Sequence, residues 1–165
     1  MTTSQSSNIR ILFMKRFIVF FLLSLTVLMT TFPAKSLSAE TIKWYSYDEG
    51  MTLGKNQHKK IFINFFADWC GYCTKMDKGT FVDPEIVSYL NKNFIAIKVN
   101  SDKENSLATR YKVRGLPSNW FVSETGEQIS NYPGYIPADN LLPILKFIQT
   151  DSYKQMAFKD FMKVR

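Results

Sequence analysis

The stretch "FINFFADWCGYC", residues 62–73, decides the fold, because an apolar run leads there directly into two cysteines. The run covers residues 60–67, and its β-branched and aromatic side chains predict a central strand covered on both faces. From Cys73 onwards the spacing of the apolar residues indicates a helix. Cys70 is thus expected at the amino end of a helix, with Cys73 one turn further along the same side.

The expected position of Cys70 predicts a reactive thiol. Unpaired backbone N–H groups and the macrodipole favour a negative charge at the amino end of a helix. They lower the pKa of a thiol there from its ordinary value of about 8.5, so that part of it is ionised at neutral pH. Cys73 is then placed to attack a mixed disulfide on Cys70 and to release the product.

Two other roles for the cysteine pair fit the residues less well. A structural disulfide that closes only a few residues removes little entropy from the unfolded chain, so it stabilises a domain of this size poorly. A closed zinc site needs four ligands. The chain has two cysteines and one histidine, His58, which lies in a polar run. These three residues are too few ligands for a closed zinc site. No metal site is therefore predicted.

The net charge of +7 does not indicate a nucleic-acid-binding protein. Four of the 21 basic residues precede residue 40, where no acidic residue occurs, and the rest of the chain has 17 bases against 14 acids. No basic stripe interleaved with aromatic residues appears in that remainder. The composition, 45% hydrophobic and 15% aromatic, is typical of a globular domain.

Residues 1–39 read as a secretory signal peptide. A basic segment at Met14 to Arg16 precedes an apolar stretch over residues 17–29, and small residues follow it. We expect cleavage after Ala39, with cleavage after Ser36 or Ser38 as the alternatives, and Met14 is a candidate for the true start. The expected location is periplasmic or otherwise exported. An uncleaved segment would instead anchor the protein in a membrane, although a spanning helix usually needs about 20 apolar residues.

The remaining pattern predicts one α/β domain over residues 40–150. A second buried strand is expected at 94–100, a hairpin near 119–132 and an amphipathic helix at 139–148. This order combines parallel crossovers with a terminal antiparallel hairpin, as in a three-layer sandwich. Residues 151–165 are predicted to form a helical extension packed on the domain.

The motif at residues 62–73, together with "GLPS" at 115–118, resembles the thioredoxin family. The longer run at residues 66–90 is most similar to the periplasmic thioredoxin-like domain of the DsbD reductant transporter and to small exported thioredoxins. The resemblance extends over residues 42–150. It implies a thioredoxin-like three-layer sandwich, with a central mixed sheet and helices on both faces.

The resemblance also implies roles for the residues that match the family motifs. Cys70 is the attacking thiol and Cys73 the resolving one, and no cofactor is needed beyond the redox-active disulfide that they form. Trp69 flanks this pair. Pro117 is implied to be a cis proline opposite the cysteines, and Leu116 offers its backbone to an extended substrate segment by strand addition.

Two positions bear on proton transfer. Where thioredoxins have a buried aspartate six residues before the first cysteine, this chain has Asn64, and an amide cannot accept a proton. The DsbD-like domain has a second acid four residues after the resolving cysteine, and Asp77 occupies that position. Asp77 is thus the candidate for tuning Cys73. The alternative is that Asp77 is a helix-surface residue with no part in the chemistry.

These features favour a reductase of protein disulfides that is recharged by a DsbD-like membrane reductant transporter. We expect a monomer with disulfide-containing client proteins. Tyr72 lies between the cysteines, and the Gly71–Tyr72 pair resembles that of periplasmic disulfide isomerases, so an oxidase or isomerase of the same fold is the alternative. A third hypothesis is a non-catalytic binding module that uses the groove around Trp69, Tyr72 and Leu116.

Overall fold

The computed structural model describes Arg16 and residues 40–164, and the latter range forms the folded domain. The predicted signal peptide lies outside the described residues, apart from Arg16. Over the part of the chain that is described, every helix is too short or too polar to span a membrane.

Strands and helices alternate along the first part of the domain, and a hairpin and further helices follow. The elements are β1 (Trp44–Tyr45), α1 (Tyr47–Gln57), β2 (Lys60–Phe66), α2 (Gly71–Lys78), α3 (Pro84–Asn93), β3 (Phe94–Asn100), α4 (Asn105–Arg110), β4 (Ser118–Val122), β5 (Gln128–Pro133), α5 (Ala138–Gln149) and α6 (Phe158–Phe161). Two 3₁₀ turns lie at Thr80–Val82 and Ser152–Lys154.

The strands form one mixed sheet in the order β1-β3-β2-β4-β5. β3 runs parallel to both β1 and β2, while β4 runs antiparallel to β2 and to β5. The central position of β2 explains its continuous apolar sequence, because a strand lies on each side of it and both faces of the sheet are covered, so its side chains are shielded from water. The predicted mixed sheet with a terminal hairpin is confirmed.

Alternate residues of the strands fill two separate cores. Phe62 and Phe121 pack with side chains from α2, α3 and α5 on one face of the sheet. Ile61 and Ile63 pack on the other face with side chains from α1 and α4. This alternation follows from the two-residue period of a strand. The result is the three-layer α/β sandwich that the sequence predicted.

The helical segment after the cysteines is broken before Asp83 and Pro84, a pair that predicts the start of a second helix as cap and first-turn proline. Asp83 caps α3, since its carboxylate accepts hydrogen bonds from the backbone N–H groups of Glu85 and Ile86. Pro84 occupies the first turn of α3, where its missing N–H costs nothing. The break leaves α2 as a short helix that extends directly from the cysteine motif.

The polar-faced pattern of residues 102–113 predicts a short helix, and the observed α4 covers only the middle of that range. The side chain of Asn100 accepts hydrogen bonds from the backbone N–H groups of Asp102 and Lys103, which makes a turn before the helix. At the other end, Lys112 adopts a left-handed backbone conformation with φ of 50°. Local side-chain bonding thus competes with the helix at its start.

The C-terminal extension has a 3₁₀ turn and the short helix α6 in place of the single helix expected. Asp151 has a left-handed backbone, with φ of 59°, which separates this segment from α5. The rings of Tyr153, Phe158 and Phe161 gather around Phe147 of α5, with centroids 5.3 to 6.5 Å away. The aromatic side chains thus attach the extension to α5.

Candidate active site

The two cysteines form a disulfide where β2 gives way to α2. The Sγ atoms of Cys70 and Cys73 are 2.07 Å apart, and their Cα atoms are separated by 5.2 Å. The backbone N–H of Cys70 donates to the carbonyl of Ala67, 3.1 Å away, which turns the chain between strand and helix. Cys70 is the N-cap residue of α2.

The amino end of α2 directs a hydrogen-bond donor at the first sulfur. The backbone N–H of Cys73 donates to Sγ of Cys70 at 3.1 Å. In the reduced protein this donor and the helix macrodipole would stabilise a thiolate on Cys70, and so lower the pKa of that thiol. Both cysteines are buried, with 5% of Cys70 and 3% of Cys73 exposed.

Apolar side chains surround the disulfide. Ala67 is buried with the cysteines, and Phe66 and Leu116 pack against this group. The peptide bond between Leu116 and Pro117 is cis. Within residues 40–164 the backbone N–H and carbonyl of Leu116 take part in no hydrogen bond. They are therefore open to a partner segment.

Trp69 lies on the surface immediately before the disulfide. Its side chain is 73% exposed, and its indole N–H donates to a carboxylate oxygen of Asp102 at 2.8 Å. Asp102 belongs to the turn that the Asn100 side chain forms after β3. The hydrogen bond thus fixes the orientation of a large exposed indole beside the sulfurs.

A second exposed aromatic residue, Tyr72, lies between the two cysteines in sequence. Its side chain is 65% exposed, and its ring centroid is 6.5 Å from that of Tyr135. Nζ of Lys75 lies 4.5 Å from the centre of the Tyr135 ring, within the range of a cation–π contact. Tyr72, Lys75 and Tyr135 are called the tyrosine–lysine surface below.

Asn64 is buried in the middle of β2 and is bonded across the sheet. Its side-chain Nδ2 donates to Oδ1 of Asn119 on β4 at 2.9 Å. Asn119 in turn donates through Nδ2 to the carbonyls of Tyr132 and Gly134, each at 3.1 Å. Burial also raises the pKa of the Tyr132 phenol. This amide pair connects the strand of the cysteines to the end of β5.

Asp77 forms an ion pair with Lys98, at 2.5 Å between Oδ1 and Nζ. Lys98 is the neighbour of Asn64 in the register of β2 and β3. Its ammonium also lies over the rings of Phe66 and Trp44, at 4.9 and 5.4 Å from their centres. Asp77 forms no hydrogen bond with Cys73 in this oxidised form, and its role in tuning Cys73 stays a prediction.

Comparison with known proteins places these features in a family. Residues 47–149 match the family model described as a thioredoxin-like domain. The chain belongs to the thioredoxin-like family. The predicted family and fold are both confirmed.

Curated relatives of this thioredoxin-like domain include proteins of thiol–disulfide exchange. The chain is 33% identical over 100 residues to the thiol:disulfide interchange protein DsbD of Photorhabdus laumondii, which covers 58% of this chain and 17% of that protein. It is 29% identical over 103 residues to a protein disulfide-isomerase of Zea mays, which covers 61% of this chain and 19% of the isomerase. The chain thus spans less than a fifth of the length of these relatives.

Solved structures show the same fold. A thioredoxin from Thermus thermophilus has a TM-score of 0.61 and 27% identity to this chain, and the match covers 66% of this chain and 87% of that protein. The DsbH oxidoreductase has a TM-score of 0.58 and 22% identity, with 77% and 94% covered. Together with the Cys70–Cys73 disulfide, the family supports a thiol–disulfide oxidoreductase.

Sequence reasoning missed three side chains around the site of this thioredoxin-like domain. Tyr135 is far from the cysteines in sequence, and only the loop after β5 brings it beside Tyr72. Lys98 and Asn119 reach the site through strand register, which pairs both with Asn64. The sequence did contain a signal for this group of side chains, since each of three otherwise apolar strands contains a polar residue.

Proposed function

We propose that this thioredoxin-like domain is an exported thiol–disulfide oxidoreductase that reduces protein disulfides through Cys70 and Cys73. The observation that supports it most is the hydrogen bond from the Cys73 backbone N–H to the Cys70 sulfur at the amino end of α2. That donor stabilises a thiolate leaving group or nucleophile at Cys70. A purely structural disulfide has no need of it.

Reduction begins with the dithiol form of the protein. The Cys70 thiolate attacks one sulfur of a client disulfide, so that a bond forms between Cys70 and the client while the client's own S–S bond breaks. The departing client sulfur leaves with the electron pair of that bond as a thiolate and takes up a proton. Phe66 and Leu116 pack against the cysteine pair and would lie beside this mixed disulfide.

The second step closes the observed disulfide. Cys73 loses its proton, and its thiolate attacks Sγ of Cys70, forming the Cys70–Cys73 bond and releasing the second client thiolate. Two electrons have then passed from the protein's dithiol to the client. A second dithiol, supplied by a DsbD-like membrane reductant transporter, restores the reduced form by the same exchange in reverse.

Proton transfer in the second step is assigned to Asp77. The side-chain amide of Asn64 cannot accept a proton from Cys73 near neutral pH, and it is hydrogen-bonded to Asn119. Asp77 follows Cys73 by one helical turn on α2, which places both side chains on the same side of the helix. Lys98 holds the Asp77 carboxylate against the sheet. Asp77 is a positioning and proton-transfer residue in this proposal.

Client binding is assigned to the open backbone beside the disulfide. The unbonded N–H and carbonyl of Leu116, next to Pro117, offer a strand-addition site to an extended client segment. Trp69 and Tyr72 supply exposed aromatic surface on either side of Cys70. A monomer suffices for this binding mode, because every group comes from one chain.

Export and the direction of electron flow rest on two observations. The basic and apolar pattern of residues 1–39 supports export. The similarity to DsbD over 100 residues supports a place in a reductive relay. A redox titration of the purified protein against glutathione tests the direction, and we expect a reducing potential. A potential near −120 mV, about that of a strong oxidant, would contradict the reductase assignment.

Trapping tests the order of attack. In Cys73→Ser the resolving thiol is absent, so mixed disulfides between Cys70 and client proteins should accumulate and be visible on non-reducing gels. Cys70→Ser is the matched control, and it should trap none. Equal trapping by both variants would show that Cys70 is not the attacking thiol.

The alternative function is a disulfide oxidase or isomerase with the same cysteines. The similarity to a plant protein disulfide-isomerase and the Gly71–Tyr72 pair favour it. Two assays distinguish the reductase from an oxidase or isomerase. One measures refolding of a reduced substrate with several disulfides, and the other measures insulin reduction. A protein that refolds the substrate but reduces insulin no faster than free dithiothreitol would be an isomerase or oxidase.

A further inference from the structure

We propose that the tyrosine–lysine surface, made of Tyr72, Lys75 and Tyr135, is a specificity-determining contact that favours client segments with a carboxylate side chain close to the reacting cysteine. The inference rests on the proposed reductase function and names the chemistry of its clients. It adds Lys75 and Tyr135 to the groups already assigned to client binding, which are Leu116, Trp69 and Tyr72.

Tyr135 is held in a fixed position relative to the proposed client strand. The backbone N–H of Gly134 donates to the carbonyl of Pro117 at 2.7 Å, and the carbonyl of Gly134 accepts from Asn119. On its other side, Thr80 donates through Oγ1 to the carbonyl of Ile136 at 2.6 Å. Gly134 has a φ of 88°, a conformation that glycine adopts without strain. The loop is thus bonded on both sides of Tyr135.

The Tyr135 ring positions a cation beside the disulfide. Lys75 lies in α2, two residues after Cys73, and its ammonium sits 4.5 Å above the ring centre. The ring centroid of Tyr72 lies 6.5 Å from that of Tyr135, and the two rings are tilted by 35° to each other. Cation–π attraction limits the freedom of the lysine while its side chain remains exposed. A charge is therefore available at a defined place.

The charged side chains on the two sides of the disulfide differ in their partners. On the Trp69 side, Asp102 accepts the indole hydrogen bond, and Asp68 lies 3.8 Å from the ammonium of Lys103. On the other side, Lys75 forms no ion pair with any residue in 40–164. The unpaired charge on the Tyr72 side of the disulfide is thus positive. A carboxylate on a bound client segment is its complement.

Peptide reduction tests this preference. The substrates are short peptides with one disulfide, in which the residue one or two places to either side of the attacked cysteine is Asp or Asn. The measurement is the rate constant for reduction by a limiting amount of the reduced wild-type protein, and the readout is the Asp-to-Asn ratio at each position. We expect a ratio of about two to five at one position, the effect of one exposed ion pair.

Salt and charge variants identify the lysine as the cause. The ratio should fall to one in 1 M salt, where the Debye length is about 3 Å. It should also fall to one in Lys75→Gln and be kept in Lys75→Arg. Lys55→Gln, in the last turn of α1, is the matched control and should keep the wild-type ratio. Tyr135→Ala should lower the ratio, because the ring that holds the ammonium is lost.

The failure of this inference is distinguishable from failure of the proposed function. The inference is overturned if the wild type shows no ratio above about two at any position, or if Lys75→Gln keeps the preference. In both cases the wild type would still reduce the peptides and the small molecule hydroxyethyl disulfide. A wild-type protein that reduces neither would overturn the reductase function itself. Circular dichroism confirms that each variant is folded.

Discussion

The two ends of β2 carry polar groups in opposite arrangements. At the amino end, the ammonium of Lys60 donates to the carbonyl of Gln149 at 3.3 Å and to Oδ2 of Asp151 at 3.2 Å. The side chain of Lys60 is only 14% exposed. At the carboxyl end, Trp69 and Tyr72 are exposed, and the backbone of Leu116 is unbonded within the described residues.

The difference shows where the strand contributes to stability and where it contributes to chemistry. Lys60 satisfies a carbonyl at the end of α5, where helix carbonyls lack intrahelical partners. The carboxyl end instead meets the amino end of α2, whose donors act on a sulfur. In open α/β sheets, ligands bind beyond the carboxyl ends of the strands. The unbonded backbone of Leu116 lies at that end of β2.

The largest expected effect is the loss of turnover on replacement of the first cysteine. In Cys70→Ser no thiolate is available to attack a client, so insulin reduction should fall to the rate without protein. Lys60→Met, at the other end of the same strand, should keep the wild-type rate. Catalysis by Cys70→Ser above the background rate would mean that Cys73 attacks clients directly.

Asn119→Leu, at the middle of the sheet, should cost stability. It leaves Nδ2 of Asn64 without its acceptor and two carbonyls at the end of β5 without their donor. Unpaired buried groups cost about 1–3 kcal/mol each, so we expect the free energy of unfolding to fall by about 3 kcal/mol. Urea unfolding of the oxidised protein measures it.

Asn131→Leu is the control for Asn119→Leu. Asn131 lies on β5 with its side chain exposed, so its replacement should change the free energy of unfolding by less than about 0.5 kcal/mol. A loss of that small size in Asn119→Leu would show that the amide pair does not hold the end of β5. It would also remove the basis for a fixed Tyr135.

Local signals in the sequence were enough to predict the central part of this fold. The apolar run of β2 and the helical spacing after Cys73 fall next to each other, so the junction that holds the disulfide could be predicted. Asp83 and Pro84 likewise carry the signal for the start of α3 within two residues. The family resemblance added the roles of Leu116 and Pro117.

The remaining site residues depend on contacts between distant segments. Asn64 and Asn119 face each other only because β2 and β4 pair in one register, across 55 residues of sequence. Lys98 reaches Asp77 through the register of β3. Neither register follows from the period of a single strand. In the C-terminal extension, the extended backbone of Ala157 separates a 3₁₀ turn from a short helix, which the apolar spacing alone did not indicate.

The smallest expected effect concerns the amino end of β2. Lys60→Met keeps the length of the side chain but loses the hydrogen bonds to Gln149 and Asp151. Asp151 is 41% exposed, so its ion pair contributes little, and we expect the free energy of unfolding to fall by about 1 kcal/mol at pH 7. Urea unfolding at pH 7 and at pH 3 measures the loss.

The pH dependence separates the two bonds of Lys60. Hydrogen bonds from Lys154 and Lys60 lower the pKa of Asp151 in the folded protein. The stabilisation from this carboxylate is therefore present above its unfolded pKa of about 3.9 and is lost as the pH falls through the lower folded value. The bond to the Gln149 carbonyl does not titrate in this range. The loss in Lys60→Met should thus shrink at pH 3 without disappearing.

Lys154→Met is the matched variant, because the hydrogen bond from Lys154 is the largest single cause of the lowered pKa of Asp151, and Lys154 bonds no helix carbonyl. Its effect should disappear as the Asp151 carboxylate becomes protonated. If the loss in Lys60→Met were the same at both pH values, the carbonyl of Gln149 alone would account for it. The amino end of β2 would then be stabilised by helix capping and not by charge, in sharper contrast to the charge-dependent chemistry at its carboxyl end.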